Sequence, residues 1–180
     1  MKESEFKPVK LYIGTIFNED SILYEVLEIL AEKYGEIQTR SERFEFTQTN
    51  YYVREMGSPL FRQFFVFKEL ISPELMADIK IHTNRLEEQQ MVKHKTMGRV
   101  INLDPGIIMG GSMIVATAKN FSHRIPLKKG IYAHLEYMFT KKEVKELPWT
   151  YLDFRSKEYK DFFLKVRKEY LSELKEKGYR

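Results

Sequence analysis

The 180-residue chain contains no cysteine, which excludes disulfides, thiolate metal sites and cysteine nucleophiles. Asparagine and glutamine are also scarce, at five each, whereas lysine and glutamate are abundant, a usage typical of thermophilic proteins. The N-terminal decapeptide MKESEFKPVK is charged and lacks the apolar stretch of a signal peptide. The longest apolar run, residues 107–118, is interrupted by Gly-Gly-Ser and is too short to span a bilayer. We therefore expect a soluble cytoplasmic protein.

Negative charge is nearly absent from one quarter of the chain. The sequence has 26 acidic residues, but only Asp104 lies between Glu88 and Glu136. Seven lysine or arginine residues and three of the four histidines lie in the same interval, which therefore carries a net charge of +6. The whole chain carries +4, so the rest of the chain sums to −2. This asymmetry indicates an anionic partner more directly than the total charge does.

The apolar pattern over residues 9–104 predicts the order strand, helix, strand, strand, helix, strand. The first strand, residues 9–17, and the third, residues 60–67, are apolar on both faces, which is typical of central strands. A ferredoxin-like α+β unit has its first and third strands at the centre, so both observations favour that fold class. The first predicted helix extends from an Asn18 cap to Gly35, and an edge strand at residues 37–47 follows it. A polar loop bearing Tyr51 and Tyr52 precedes the third strand. The second predicted helix extends from Ser72-Pro73 to about Met91, with Leu75, Ile79 and Leu86 inward, and a strand at residues 99–104 completes the unit.

Residues 105–180 are predicted to extend this unit by a β-hairpin and a C-terminal amphipathic helix, within a single domain covering residues 1–180. The hairpin turn is expected at Lys-Lys-Gly, residues 128–130, with His134 and Glu136 on one face of the second strand. The last helix begins at Ser156 and has apolar residues spaced by three and four positions. We expect this extension to cover the open face of the sheet. Residues 107–120 fit either a helix or a strand.

Several catalytic and metal-binding motifs are missing from the sequence. The glycines at 106, 110 and 111 are not followed by the Lys-Ser/Thr of a phosphate-binding loop. There is neither a GxSxG elbow nor an HExxH pair. No two of the four histidines share a helical face as paired ligands would. We therefore predict no metal site, and we expect each histidine to be a partly exposed polar residue.

Two stretches resemble the signatures of an RNA-recognition module. Residues 11–16, LYIGTI, are similar to the first signature, and residues 62–67, RQFFVF, are faintly similar to the second. Both lie on the strands where that module stacks bases on aromatic rings. The glycines of the second signature are missing, and the chain beyond residue 104 needs a surface on which to pack. An RNA-binding sheet is accordingly an alternative hypothesis.

Residues 99–124, RVINLDPGIIMGGSMIVATAKNFSHR, contain the best candidates for a binding site. In a strand, Asn102 and Asp104 project to one side. The strand is expected to end at a turn formed by Asp104, Pro105 and Gly106, whose exposed amides would meet an anion. The alternative interpretation is an ordinary turn flanked by solvated lysines.

Three further side chains follow within twenty residues and complete the predicted pocket. Lys119 offers a point charge, and Arg124 offers a planar fork for phosphate or carboxylate. His123 is the candidate proton carrier, because its pKa lies near neutral pH. Arg155 could add a second arginine, or it could belong to a local cap of the final helix.

Asp104 has three alternative roles in this pocket. It could accept hydrogen bonds from a sugar or a base, or it could bind Mg²⁺ if the ligand is a nucleotide. It could also be the ion-pair partner that allows Arg99 or Arg124 to be partly buried.

Seven segments across nearly the whole sequence form one ordered pattern: Lys10-Leu-Tyr-Ile-Gly14, Tyr51-Tyr52 with Glu55-Met56-Gly57, Asn102-Leu-Asp-Pro-Gly106, Ala116-Thr with Lys119, His123-Arg-Ile125, Gly130-Ile-Tyr-Ala133, and Pro148-Trp-Thr-Tyr151 with Arg155-Ser156. These segments resemble the prokaryotic family called domain of unknown function 4416, and they occur in the family's order. The resemblance implies little about function, because the family has no established activity, although some members carry a GTP-binding label. The family's Thr-Lys-Asp is here Ala118-Lys119-Asn120, which weakens guanine recognition.

The sequence therefore supports three hypotheses. The first is a protein that binds a phosphorylated or nucleotide-like anion in a basic pocket, with turnover left open. The second is a nucleic-acid-binding module that uses the basic surface and the sheet aromatics. The third is a structural or assembly protein whose basic segment contacts an acidic partner.

Overall fold

The computed structural model describes residues 3–48 and 51–179. Within these residues, four α-helices accompany one antiparallel sheet, which confirms the predicted α+β class. The strands are β1 (Val9–Phe17), β2 (Ile37–Arg40), β3 (Phe44–Glu45), β4 (Phe61–Ile71), β5 (Ile101–Ile108), β6 (Ser112–Thr117), β7 (Ile125–Pro126), β8 (Tyr132–Phe139) and β9 (Val144–Glu146). The helices are α1 (Asp20–Tyr34), α2 (Tyr51–Met56), α3 (Met76–Lys93) and α4 (Lys157–Glu176), with 3₁₀ turns at Pro73–Leu75 and Asp153–Arg155.

The sheet runs in the order β2-β4-β1-β5-β6-β8-β7, with β3 paired to β4 and β9 paired to β8. Its first four strands are each antiparallel to their neighbours. The first and third strands of the predicted unit, β1 and β4, are therefore the inner ones, as expected. The second half of the chain continues the same sheet through β6 and β8. The boundary that we expected after residue 104 consequently falls inside β5.

Helices cover both faces of the sheet. On one face, α1 and α3 pack on apolar side chains of β1, β4 and β5. On the other face, α4 packs on a largely aromatic cluster. There the ring centroid of Phe163 lies 5.0 Å from that of Tyr12 and 4.9 Å from that of Phe64. The aromatic rings of the two RNA-like stretches are buried, so they cannot stack on bases.

The helix boundaries largely agree with the predicted start and stop signals. Helix α1 ends before Gly35, which adopts φ 92°, and Ser156 caps α4 by accepting a hydrogen bond from the amide of Tyr159. The predicted Asn18 cap is wrong, because Glu19 occupies that position and the Asn18 side-chain amide donates to the carbonyl of Met56 instead.

Three local predictions are corrected by the structure. The edge strand at residues 37–47 is interrupted at residues 41–43, giving β2 and β3. The polar loop before β4 contains helix α2, and residues 49 and 50 of that loop lie outside the described residues. Leu75 is 46% exposed rather than buried. None of the helices in the described ranges combines the length and apolar character needed to cross a membrane.

Candidate functional site

Strands β5 and β6 pair over only three positions and then separate. The pairs are Gly106 with Val115, Ile107 with Ile114, and Ile108 with Met113. The predicted turn at residues 104–106 is therefore wrong, because these residues continue the strand. A Cβ atom on Gly106 would lie 2.4 Å from both the Ile114 carbonyl oxygen and the Tyr12 hydroxyl. Glycine at position 106 thus allows the β6 main chain and the Tyr12 side chain to approach β5 closely. This close approach explains the glycine without a turn.

Pro105 weakens the pairing where it ends. The main-chain groups of Leu103 point away from β1, since they bond to helix α3. Residues alternate along a strand, so Pro105 has the same orientation and would face Ala116 in the observed register. Proline has no N–H, so this pair would lack one of its two hydrogen bonds. The two strands diverge from this point and form a fork.

A cavity of about 400 Å³ lies in the fork. One polar face of α3, the first turn of α2 and the connector before α4 close its sides. Its volume is within the range typical of small-ligand sites. Its walls are formed by Ile16, Phe46, Gln48, Tyr51, Tyr52, Arg62, Lys80, Asn84, Glu87, Arg99, Asn102, Asp104, residues 115–119 and residues 151–153.

Helix α3 satisfies the free edge of β5. The Leu103 amide donates to Glu87 Oε1 at 2.6 Å, and Lys80 Nζ donates to the Leu103 carbonyl at 2.7 Å. Both side chains are buried. Burial raises the pKa of Glu87 to about 7, against the opposing effects of Lys80 and the Leu103 amide. The cavity therefore contains a carboxyl that titrates near neutral pH.

Asp104 is held by two cations and one amide. Its Oδ2 accepts from Arg62 Nη1 at 3.0 Å and from Asn102 Nδ2 at 2.9 Å, and its Oδ1 lies 3.6 Å from Lys80 Nζ. Burial acts to raise the pKa of Asp104, but the charges of Lys80 and Arg62 outweigh it and lower the pKa. Of the three predicted roles, the structure shows the ion-pair partner, although the buried partners are Arg62 and Lys80.

The side-chain amide of Asn102 is already occupied within the protein. Its oxygen accepts from Arg99 Nη1 at 2.9 Å, and its nitrogen donates to Asp104. Asn102 is also buried. It therefore positions Arg99 and Asp104 and offers little to a ligand directly.

Cations and tyrosines surround the mouth of the cavity. Arg99 Nε donates to Glu55 at 2.7 Å, and its guanidinium lies 5.2 Å from the ring centroid of Tyr52. Lys119 Nζ lies 5.1 Å from the ring centroid of Tyr51. Among residues 3–48 and 51–179, Lys119 has no carboxylate within 4 Å. Its charge is therefore available to a ligand.

Arg124 lies behind the cavity wall. Its Nη1 donates to the Lys119 carbonyl at 2.8 Å and its Nη2 to the Tyr151 hydroxyl at 2.9 Å. Its Nε donates to His134 Nδ1 at 3.1 Å. Arg124 therefore braces two residues that line the cavity, and its positive charge lies beside the mouth.

His134 is fully buried, contrary to the predicted partial exposure. Its Nε2 lies 2.8 Å from Oε2 of the equally buried Glu136. Because Nδ1 accepts from Arg124, the ring proton lies on Nε2. Within the described residues, neither Nε2 nor Glu136 Oε2 makes a hydrogen bond, despite their short separation. Burial raises the pKa of Glu136 to about 8 and lowers the pKa of His134 to about 4. His134 and Glu136 therefore help to position Arg124 and do not line the cavity.

The other two predicted site residues lie outside the cavity. The His123 ring stacks on Trp149 with centroids 4.8 Å apart, and its Nε2 lies 3.1 Å from His134 Nδ1. Desolvation and the neighbouring His134 and Arg124 lower the pKa of His123. Arg155 donates to the carbonyls of Thr150 and Pro148, so it fixes the connector before α4.

The acid-poor interval is partly neutralised by residues from elsewhere in the chain. Lys93 pairs with Glu25, Arg99 pairs with Glu55, and Lys128 and Lys129 both approach Asp78. The fold thus reduces the asymmetry that the sequence displays. In the part of the chain that the structure describes, no group of three or more histidine, aspartate or glutamate side chains could hold a metal ion.

A family model described as "Domain of unknown function (DUF4416)" matches residues 7–170. The chain belongs to this family. No curated protein and no solved structure matches the chain. The matched range contains every residue that lines the cavity. Several segments that resemble the DUF4416 family, including those at residues 51–55, 102–106 and 116–119, meet at this cavity.

The sequence interpretation missed three important lining residues, Arg62, Lys80 and Glu87. A signal for two of them is present on α3, where Lys80, Asn84 and Glu87 are spaced by four and three residues and so share one face. A row of polar residues beside the buried face of a helix indicates that this row contacts other polar groups. Arg62 has no comparable signal, because it lies within an otherwise apolar strand.

Proposed function

We propose that the cavity binds a small phosphorylated or nucleotide-like anionic ligand. The observation that carries the proposal is the mouth of the fork, where Lys119 extends beside the cavity and faces no carboxylate in the described residues. Aromatic side chains from α2 and from the connector before α4 provide apolar contact area next to it. A concave site that combines apolar walls with a few directed polar groups is typical of small-ligand binding.

Each side chain has a different role in the proposed binding. Lys119 contacts the anion, and Arg124 adds a second positive charge while fixing the Lys119 main chain. Asp104 Oδ1 is available to accept a hydrogen bond from a ligand hydroxyl or amine. Asn102 holds Asp104 and Arg99 in place. His123 lies outside the cavity, so the proposal concerns binding and assigns no turnover.

A thermal-shift screen tests the proposal with nucleotides, sugar phosphates and short RNAs. A ligand at 100 times its dissociation constant should stabilise the fold by about 2.7 kcal/mol. Lys119→Ala should weaken a genuine hit by about tenfold, because it removes the available cation at the mouth. Lys141→Ala is the matched control, since Lys141 is exposed on the turn between β8 and β9. Equal effects of the two substitutions would reject the cavity.

The screen also separates the other two hypotheses. An RNA interaction would lose affinity steeply with salt, because several counterions are released together. An assembly role would give no small-molecule hit and would depend on an acidic partner that is lost when Lys119 and Arg124 are replaced by glutamate.

A further inference from the structure

We infer that the ligand carries a single phosphomonoester group and that the cavity discriminates against polyphosphates. The inference rests on the proposed function and deepens it by assigning a charge class to the ligand. It depends on which cations around the cavity are already matched by carboxylates and which are not.

Three of the four cations that line the cavity face carboxylates of the protein. Arg62 lies 3.0 Å from Asp104 and 3.6 Å from Asp153. Lys80 lies 3.6 Å from the same Asp104. These side chains form the floor, and their charges largely cancel. A ligand anion near them would also meet two carboxylates.

The third matched cation is Arg99, at the mouth. It lies 2.7 Å from Glu55 and 3.8 Å from Glu87. Four carboxyl groups therefore surround three cations in this part of the site, and three carboxylates still match three cations when Glu87 is protonated. The set offers no surplus of positive charge to a highly charged ligand.

Two cations near the mouth lack such partners. Across the described residues, neither Lys119 nor Arg124 has a carboxylate within 4 Å, and a hydrogen bond of 2.8 Å joins Arg124 to the Lys119 carbonyl. Glu136, the buried carboxyl behind Arg124, lies 2.8 Å from His134 and does not pair with Arg124. Burial also raises the pKa of Glu136, which disfavours its charged form. Lys119 and Arg124 therefore present two unpaired positive charges.

Two charges match one phosphomonoester, which carries about −1.5 to −2 at pH 7. Each further phosphate of a triphosphate would lie unmatched in a partly enclosed site that already contains carboxylates, and such burial is unfavourable. Mg²⁺ would not remedy this at Asp104, because Arg62 and Lys80 already neutralise that carboxylate.

Isothermal titration calorimetry with ribose 5-phosphate, the four common nucleosides, and their 5′-monophosphates and 5′-triphosphates tests the inference, each with and without Mg²⁺. At least one single-phosphate probe should bind about tenfold more tightly than its unphosphorylated form and at least as tightly as the triphosphate. A triphosphate that binds more tightly than every monophosphate would overturn the charge class alone. No binding by any phosphorylated probe would instead reject the proposed function.

A variant that removes one carboxylate near the cavity tests the inference independently. Glu55→Gln removes a carboxylate from Arg99 and should raise triphosphate affinity relative to monophosphate affinity by about fivefold. Glu143→Gln makes the same change in net charge at an exposed turn away from the cavity, and it should leave the ratio unchanged. Equal ratios in the two variants would show that the local charge balance does not select the ligand.

Discussion

At the scale of single residues, a continuous chain of charged and amide groups extends from the mouth of the cavity to its floor. Glu55 accepts from Arg99, Arg99 donates to Asn102, Asn102 donates to Asp104, and Asp104 also accepts from Arg62. Each member is oriented by its neighbours, so the chain fixes its own geometry. Preorganised polar groups of this kind favour specific binding, because little reorganisation is needed when a ligand arrives.

Asp104→Asn should destabilise the protein by about 3 kcal/mol, because it leaves the buried cations Arg62 and Lys80 without their shared carboxylate. Urea denaturation measures the change. Asp78→Asn is the control, since Asp78 pairs with Lys128 on the exposed surface, where ion pairs contribute little. Similar losses in the two variants would contradict the role of Asp104 as a buried counter-ion.

Glu87 should make stability depend on pH. Its folded-state pKa, about 7, lies above its ordinary value of 4.5, so the folded protein binds this proton more tightly than the unfolded chain does. The resulting stabilisation is complete below about pH 4.5 and is lost as the pH rises through 7. Between pH 7.5 and 4.5, the stability of the wild type relative to Glu87→Gln should therefore increase by up to about 3 kcal/mol.

Urea denaturation of both proteins across that pH range provides the measurement. All other titratable groups are the same in both proteins, so their contributions cancel in the difference. A difference that stays constant with pH would show that Glu87 is ionised throughout and that burial does not raise its pKa.

Sequence reasoning found part of the site at this scale. Asn102 and Asp104 project to one side of β5, as the period of a strand requires, and Lys119 reaches the same cavity. Lys80 and Glu87 were missed because their partner is the main chain of Leu103. The main chain of Leu103 needs these side-chain partners only because β6 has separated from β5 at that point. The sequence of β5 alone does not show this separation.

At the scale of elements, α4 was predictable and the fork was not. The apolar stripe of α4 extends over about four turns, so its period is clear, and the helix covers the sheet as expected. Helix α2 has only six residues, which is too short to show a period or to be stable alone. The Asp-Pro-Gly sequence is common in turns, and only the register against β1 and β6 shows that it continues a strand.

Gly106→Ala should destabilise the protein by about 2 kcal/mol, because the added methyl group would collide with the Ile114 carbonyl and the Tyr12 ring. Gly111→Ala is the matched control on the same connection, since a Cβ atom there meets nothing within 4 Å. It should be neutral or slightly stabilising. Thermal denaturation of the two variants distinguishes a close approach at residue 106 from a general loss of flexibility.

At the scale of the whole molecule, ion pairs distribute the excess of positive charge. Lys93, Arg99, Lys128 and Lys129 each approach a carboxylate from outside the acid-poor interval. The aromatic rings of the RNA-like strands are buried beneath α4. Within the described residues, the rings of these strands therefore offer no stacking platform for bases.

Binding of a single-stranded RNA of twelve nucleotides should consequently be weak, with a dissociation constant above about 100 μM at physiological salt. Fluorescence anisotropy at 50 mM and 200 mM salt measures it. Submicromolar affinity with a steep salt dependence would favour the nucleic-acid hypothesis over the cavity.

The missing amide hydrogen of Pro105 has a consequence for the way in which a ligand would enter. Pro105 cannot donate to Ala116, so the ladder between β5 and β6 is weakened at that position, and the two strands diverge there. The fork is thus part of the strand arrangement itself, and entry of a ligand need not separate two fully bonded strands. We expect the rate of capture to be set by diffusion through the mouth rather than by a slow opening step.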